Sequence, residues 1–156
     1  MSLSGSSQRV IDAGRELGLA VDIHHFPDGT KTAGDAAAAI GCDVSAIVKS
    51  LVFTIEGEPV LVLVPGDRRL DTAALSAIAG GGHVDRAPLD VVRTATGYAA
   101  GGTPPIGHAN PIQVFADTAL RRHEVVWAAG GTPTTVFPIP VSELERVVDA
   151  VWAELS

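Results

Sequence analysis

The chain has 156 residues, a length typical of one domain, and 46% of them are hydrophobic, which excludes a disordered protein. Its formal net charge of −7 argues against broad, non-specific nucleic-acid binding, because such binding needs a basic surface that displaces counterions from phosphates. The apolar runs fall far short of the ~20 residues that cross a bilayer. We therefore expect one domain over residues 1–156, with 1–6 disordered, located in the cytoplasm and not in a membrane.

Three elements are predicted in the first part of the chain. Residues 7–17 carry apolar side chains at helical spacing, and Gly18 follows at the position of a C-terminal cap. Residues 21–26 alternate apolar and polar side chains, which predicts a strand. Thr32 can then cap a short alanine helix that ends at Gly41.

The sequence in the middle of the chain predicts the central strands of a sheet. Residues 47–55 and 60–64 are β-branched, apolar runs joined by a Glu-Gly-Glu-Pro turn, a pattern that favours a hairpin. Asp71 is placed to cap a helix that stops at the glycines 80–82, and residues 88–93 predict another short helix.

The last part predicts three strands, at 112–115, 125–128 and 135–139, followed by a helix. Ser142 and Glu145 have the spacing of a capping box for this helix. Its apolar stripe would comprise Leu144, Val147, Val148, Val151, Trp152 and Leu155. Because strand pairs occur as hairpins as well as across helices, the predicted class is α+β with a mixed, mostly antiparallel sheet.

Lys49 is the residue of the hairpin that most strongly suggests a function. Period-two alternation places it on the same face as Ile47, Leu51 and Phe53. Lysine is seldom buried without a partner, so its ammonium group should project into a cavity that an anion or a polarised carbonyl can occupy. The alternative is an edge lysine that blocks aggregation. The long apolar run favours a central strand.

A second candidate is the loop over residues 96–108, which contains four glycines and two prolines. Gly101 and Gly102 carry no side chains, so a ligand can approach the backbone and its N–H donors closely. The alternative is a plain connecting loop. The loop matches neither a P-loop nor a dinucleotide fingerprint, and we expect no cofactor.

The histidines do not indicate a metal site. None of the five has the spacing of a zinc motif, and we expect no bound metal. His108 is the best candidate for a site residue, with a simple loop hydrogen bond as the alternative. A G-x-S-x-G elbow does not occur in the sequence, so a covalent mechanism has no support.

Three stretches together resemble the YbaK and prolyl-tRNA-synthetase-associated family. They are Ile-Val-Lys-Ser-Leu-Val-Phe at 47–53, the glycine loop at 96–108, and Val-Trp-Ala-Ala-Gly-Gly at 126–131 with the helix start at 142–144. Order and spacing agree from about residue 7 to about residue 155. The resemblance implies a curved mixed sheet flanked by helices, and hydrolysis of the ester that joins a wrongly attached amino acid to its tRNA.

The resemblance also implies roles for residues. Lys49 matches the family's essential lysine and would hold the phosphate or carbonyl side of the aminoacyl-adenosine end, while the amides of Gly101 and Gly102 orient the ester carbonyl. The attacking water would be activated by the substrate's own terminal ribose hydroxyl. Further substrate-binding residues are expected at Thr96, Gly97, Tyr98, Thr103, His108, Ala129, Gly130 and Gly131.

The expected substrate is the acceptor end of mischarged tRNA-Pro carrying a small amino acid, delivered by prolyl-tRNA synthetase or an elongation factor. Relatives often have serine or histidine where this chain has Ala128 or Ala129, so the amino-acid pocket should be shaped differently. A hydrophobic pocket distinguishes one methylene by only ~1–3 kcal/mol, which leaves several small amino acids open. Two other hypotheses are a non-catalytic module that binds an aminoacyl-nucleotide or a synthetase, and an unrelated α+β domain.

Overall fold

The computed structural model describes residues 4–30 and 32–156, which form helices and strands in mixed order. The elements are α1 Gly5–Glu16, β1 His24–His25, α2 Ala33–Ile40, β2 Val48–Ile55, β3 Glu58–Pro65, α3 Thr72–Ile78, β4 Val84–Arg86, α4 Leu89–Thr96, β5 Gln113–Asp117, β6 Val125–Ala129, β7 Thr135–Pro140, α5 Val141–Val147 and β8 Ala150–Ala153. Short 3₁₀ helices cover Val44–Ala46 and Thr118–Arg122. Over the described ranges, no helix has both the length and the apolar character needed to span a membrane.

The strands form two sheets. One has five strands in the order β4-β2-β3-β5-β8, and the other has three in the order β1-β7-β6. Pairing is antiparallel except between β3 and β5 and between β5 and β8. An isolated bridge between Ile47 and Trp127 links the sheets. The predicted α+β class with a mixed, mostly antiparallel sheet is therefore confirmed, with the strands divided between two sheets.

The hairpin of β2 and β3 lies inside the five-stranded sheet, as its apolar pattern predicts. Its register pairs Lys49 with Val64 and Phe53 with Val60. Glu56 and Gly57 have φ values of 49° and 81°, the left-handed conformation that a tight two-residue hairpin turn requires at both positions. The turn therefore sets the register, and with it the face on which each side chain of β2 lies.

Both faces of the hairpin are buried, which explains its nearly continuous apolar sequence. One face packs into the core between the two sheets, and the other packs into a second core beneath α3. The first core includes Val48, Val52, Leu61, Leu63, Val126 and Phe137. The second includes Phe53, Val62, Leu75, Phe115 and Leu155.

Local capping signals correctly predicted the starts of α2 and α3. The Thr32 hydroxyl accepts a hydrogen bond from the Asp35 N–H at 3.0 Å, and Asp71 caps α3 in the same way. The first helix starts earlier than predicted: Ser4 is its N-cap, so the prediction of disorder is wrong for residues 4–6. Residues 1–3, which that prediction also covers, lie outside the described residues.

The prediction of a long C-terminal helix is wrong. The helix α5 ends at Val147, and the chain continues into β8, which runs parallel to β5 and pairs Trp152 with Ala116. Pro140 is the N-cap and provides no side-chain hydrogen bond, so the predicted capping box does not form. The tail is rich in β-branched valines, and β5 offers an unpaired edge, so pairing with β5 outweighs the helical apolar spacing.

The short strands β1 and β4 also differ from what the sequence predicts. The predicted strand at 21–26 is only the two-residue β1, because β7 pairs with it only at His24 and His25. The strand β4 was not predicted. It has three residues and pairs only with the end of β2, and so short a segment leaves little periodicity to detect.

Candidate functional site

A cavity of about 560 Å³ lies beside β2, within the range typical of small-molecule sites. Its walls come from the segment that leads into α2, from β2, from the β4–α4 connection, from the glycine loop and from β6. Most of the lining side chains are apolar and small. The site therefore lies where several segments that are distant in the sequence meet around β2.

The cavity exists because β2 has no partner on one side over part of its length. β4 pairs with β2 only from Phe53 onward, and the Ala87 N–H donates to the Val52 carbonyl at 3.2 Å. At the other end, Ile47 bridges to Trp127 of β6. Alternation along the ladder turns the N–H and C=O of Ser50 toward the gap between these two contacts. Main-chain polar groups of β2 thus face the cavity.

Lys49 lines this cavity and is half-buried. Its Nζ donates a hydrogen bond to the carbonyl oxygen of Arg68. Burial lowers the pKa of Lys49 below its ordinary value, and the positive charge of Arg69 lowers it further. The strand is internal in the sheet order, as predicted, although its side facing the cavity is unpaired at this position. The ammonium group therefore lies beside a cavity, where an anion or a carbonyl oxygen can reach it.

The glycine loop contributes Gly101 and Thr103 to the cavity wall, while Gly102 lies behind it. A Cβ at Gly102 would lie 2.8 Å from the Thr132 backbone, and the N–H of Gly102 already donates to the Ala99 carbonyl at 3.0 Å. Gly101 has a φ of 86°, and the position that a Cβ would occupy is open space. Of the two glycines predicted to supply amide donors, only Gly101 lines the cavity.

Four other predicted contact residues lie outside the cavity wall and hold the loop in shape. The Thr96 hydroxyl donates to the Val92 carbonyl at 2.7 Å, and the Tyr98 hydroxyl donates to the Gly107 carbonyl at 2.8 Å. His108 bonds through Nε2 to the Pro104 carbonyl at 2.7 Å, the alternative that the sequence left open. Gly97 ends α4 with a φ of 82° and accepts a hydrogen bond from Arg9.

Burial lowers the pKa of His108 below its ordinary value, with the hydrogen bond to Pro104 opposing that effect. The neutral imidazole is therefore favoured, and it braces the loop. In the described part of the chain, no group of three or more His, Cys, Asp or Glu side chains comes together in a way that could hold a metal ion.

At the end of β6, too, only some of the predicted residues line the cavity. Ala128 and Ala129 line the cavity and present only methyl groups to it. Gly130 and Gly131 face the start of α1: the Ser7 hydroxyl donates to the Gly130 carbonyl at 2.8 Å, and a Cβ at Gly131 would clash with the helix backbone. Gly131 thus lets α1 pack closely, Gly130 leaves room for Ile23 and Thr135, and neither lines the cavity.

Ser50 is a site residue that the sequence analysis missed. It lines the cavity next to Lys49, and its Oγ is the one buried side-chain oxygen or nitrogen among the described residues that has no hydrogen-bond partner. Buried hydroxyls normally have partners, so an orphan at a cavity wall points to a ligand. The available signal was a hydroxyl residue between Val48 and Val52 on an otherwise apolar strand face.

Comparisons with known proteins agree with this architecture. Residues 27–147 match a family model described as the aminoacyl-tRNA editing domain. The chain is 31% identical over 136 residues to the uncharacterised protein YwhH of Bacillus subtilis, covering 86% of both chains. It is 32% identical over 106 residues to a proline–tRNA ligase of Maridesulfovibrio salexigens, covering 65% of this chain but only 17% of the ligase.

A solved structure of a proposed trans-editing enzyme for prolyl tRNA synthetase superposes with a TM-score of 0.93. The two chains are 40% identical, and the match covers 99% of each. The similarity therefore includes the hairpin, the glycine loop and the C-terminal strand β8.

Proposed function

Because the chain belongs to the aminoacyl-tRNA editing domain family, we propose that it hydrolyses in trans the ester of a mischarged tRNA. The proposed substrate is tRNA-Pro carrying a small amino acid. The observation that carries the proposal is that Lys49 and Gly101, from distant parts of the sequence, line one cavity. Delivery by prolyl-tRNA synthetase or an elongation factor is part of this proposal.

The lining of the cavity supports a small aminoacyl group. Ala36, Val48 and Ala128 leave room for a short side chain and offer it apolar contact. Ser50 adds a hydroxyl, and its main chain adds a donor and an acceptor at the unpaired side of β2. These polar groups suit the amino group and ester of an aminoacyl end, which are common to all such substrates.

In the proposed reaction, water adds to the ester carbonyl, and the ribose oxygen leaves as a hydroxyl. The substrate's own neighbouring ribose hydroxyl takes a proton from the water and passes its own proton to the leaving ribose oxygen. Lys49 and the N–H of Gly101 stabilise the negative charge that develops on the substrate, and the Arg68 carbonyl holds the Lys49 ammonium in place. The protein thus acts by positioning the substrate and by fixed electrostatics.

Deacylation of tRNA-Pro charged separately with alanine, serine, cysteine and threonine tests the proposal. The protein should accelerate loss of at least one amino acid, and Lys49→Ala should abolish that acceleration. A panel that stays intact contradicts the enzymatic proposal. Calorimetric binding of a non-hydrolysable aminoacyl-adenosine analogue without turnover would indicate a binding module instead.

A further inference from the structure

Some of the cationic side chains of this acidic protein form ion pairs with carboxylates, and others do not. Several arginines are engaged in ion pairs with carboxylates: Arg15, Arg121, Arg122 and Arg146. Within the described residues Lys49, Arg69 and Arg86 form no ion pair with a carboxylate, as is also true of Arg9, Arg68 and Arg93; we call the first three, which lie near the cavity, the cationic cluster. The net charge of −7 makes such a group of uncompensated cations informative.

The fold brings two members of the cationic cluster to the cavity and the backbone of the third close to Lys49. Lys49 and Arg86 both line it, from neighbouring strands of one sheet, and the Arg86 side chain is otherwise exposed. Arg69 follows directly after Arg68, the residue whose carbonyl binds the Lys49 ammonium. The backbone of Arg69 is therefore one peptide bond from the carbonyl that binds Lys49, and the charges of Arg69 and Arg86 both lower the pKa of Lys49.

Within the described residues no carboxylate forms an ion pair with this cluster, although the charge of Asp67 opposes the effect of Arg69 and Arg86 on the pKa of Lys49. Asp67 pairs with Arg122 at 3.1 Å, and Asp85 pairs with His83 at 3.0 Å. Asp71 accepts hydrogen bonds from the first N–H groups of α3. Like charges held together without a counter-ion repel one another, and an external anion removes that repulsion.

We propose that Arg69 and Arg86, next to Lys49, form a phosphate-binding subsite at the rim of the cavity for the RNA backbone next to the aminoacylated adenosine. This inference rests on the proposed function, which brings an RNA end to the cavity. The ligand class is a phosphodiester, and guanidinium groups suit it because their forked donors match phosphate oxygens. Because the rest of the surface is acidic, it would not attract RNA, and binding would be confined to the terminal nucleotides.

Arg69→Gln and Arg86→Gln test the subsite, with Arg15→Gln as the matched control. Arg15 lies on α1, does not line this cavity, and loses the same charge. Two substrates are compared: mischarged tRNA-Pro, and an aminoacyl-adenosine without phosphate. On the tRNA, each cluster variant should lower kcat/KM about five- to tenfold and make its dependence on salt less steep. On aminoacyl-adenosine, all three variants should match the wild type.

Equal activity of the cluster variants and the wild type on tRNA would overturn the subsite, as would an equal loss on aminoacyl-adenosine. If the wild-type protein hydrolyses neither substrate, the proposed function fails, and a binding assay decides on the subsite alone. A fluorescent cytidine-cytidine-adenosine trinucleotide should bind the wild type and the Arg15→Gln protein at low salt, and bind the cluster variants more weakly. Equal binding by all four proteins would overturn the subsite.

Discussion

Replacing Ser50 with alanine should stabilise the protein and impair its activity at the same time. The Ser50 Oγ is buried at the cavity wall without a hydrogen-bond partner, so the folded protein loses the hydration of this hydroxyl without compensation. Alanine removes the oxygen and keeps the Cβ, which leaves the packing of β2 intact. If the hydroxyl serves a bound substrate, the same change removes that hydrogen bond.

The two effects can be estimated from general magnitudes. An unsatisfied buried hydroxyl costs about 1–3 kcal/mol, so Ser50→Ala should stabilise the protein by at least about 1 kcal/mol. A gain of about 1 kcal/mol in unfolding free energy raises the Tm of a domain of this size by about 2–4 °C. A lost neutral hydrogen bond of about 0.5–1.5 kcal/mol lowers kcat/KM about two- to tenfold.

The assay pairs thermal unfolding with deacylation of mischarged tRNA, and Ser45→Ala is the control. The Ser45 hydroxyl is fully used: it bonds to Asp43 at 2.7 Å and to His123 at 2.8 Å, and Ser45 does not line the cavity. Its loss should therefore lower the Tm and leave kcat/KM unchanged. A higher Tm with a lower kcat/KM for Ser50→Ala, together with a lower Tm and an unchanged kcat/KM for Ser45→Ala, would indicate that the Ser50 hydroxyl is functional.

A lower Tm for Ser50→Ala, together with unchanged kcat/KM, would refute this reasoning. That result would mean that the hydroxyl is satisfied in the folded protein and that the substrate does not contact it.

Two further predictions concern stability. Because the pKa of buried His108 is lowered, the stability that its neutral form provides is complete above the unfolded value of about 6.5 and is lost as the pH falls through the lower folded pKa. Urea unfolding between pH 8 and pH 5 should show this decline, and His108→Gln should flatten it; an unchanged profile in the variant would assign the decline to other groups. Leu155 is fully buried in the second core, so Leu155→Ala should cost about 2–5 kcal/mol in urea unfolding, whereas a cost below about 1 kcal/mol would show that the end of the chain does not pack there.

Local signals in the sequence predicted most of the helices and the central hairpin. A cap such as Thr32 or Asp71 and a turn such as Glu56-Gly57 act within a few residues, so their effect can be recognised without knowing the rest of the fold. The C-terminal segment is different. Its valines suit a helix stripe and a strand equally well, and the unpaired edge of β5 decided between them.

The sequence predicted the part of the candidate site in which the polarity of a residue differs from that of its neighbours. Lys49 is a charge on an apolar strand, and this conflict is visible in the sequence alone. Among the glycines the sequence made no such distinction: Gly101 lines the cavity, whereas Gly102 and Gly131 allow close backbone packing. Both uses require a residue without a side chain, so composition cannot separate them.

The sequence by itself determined the class of the fold, the buried hairpin and the resemblance to an editing family, because these depend on periodicity and on residues that are unusual in their local setting. Only the tertiary structure decided that the Ser50 hydroxyl lacks a partner and that Arg86 reaches the cavity of Lys49. Those properties depend on which segments meet across a gap in strand pairing, and such meetings are set by the packing of the whole chain.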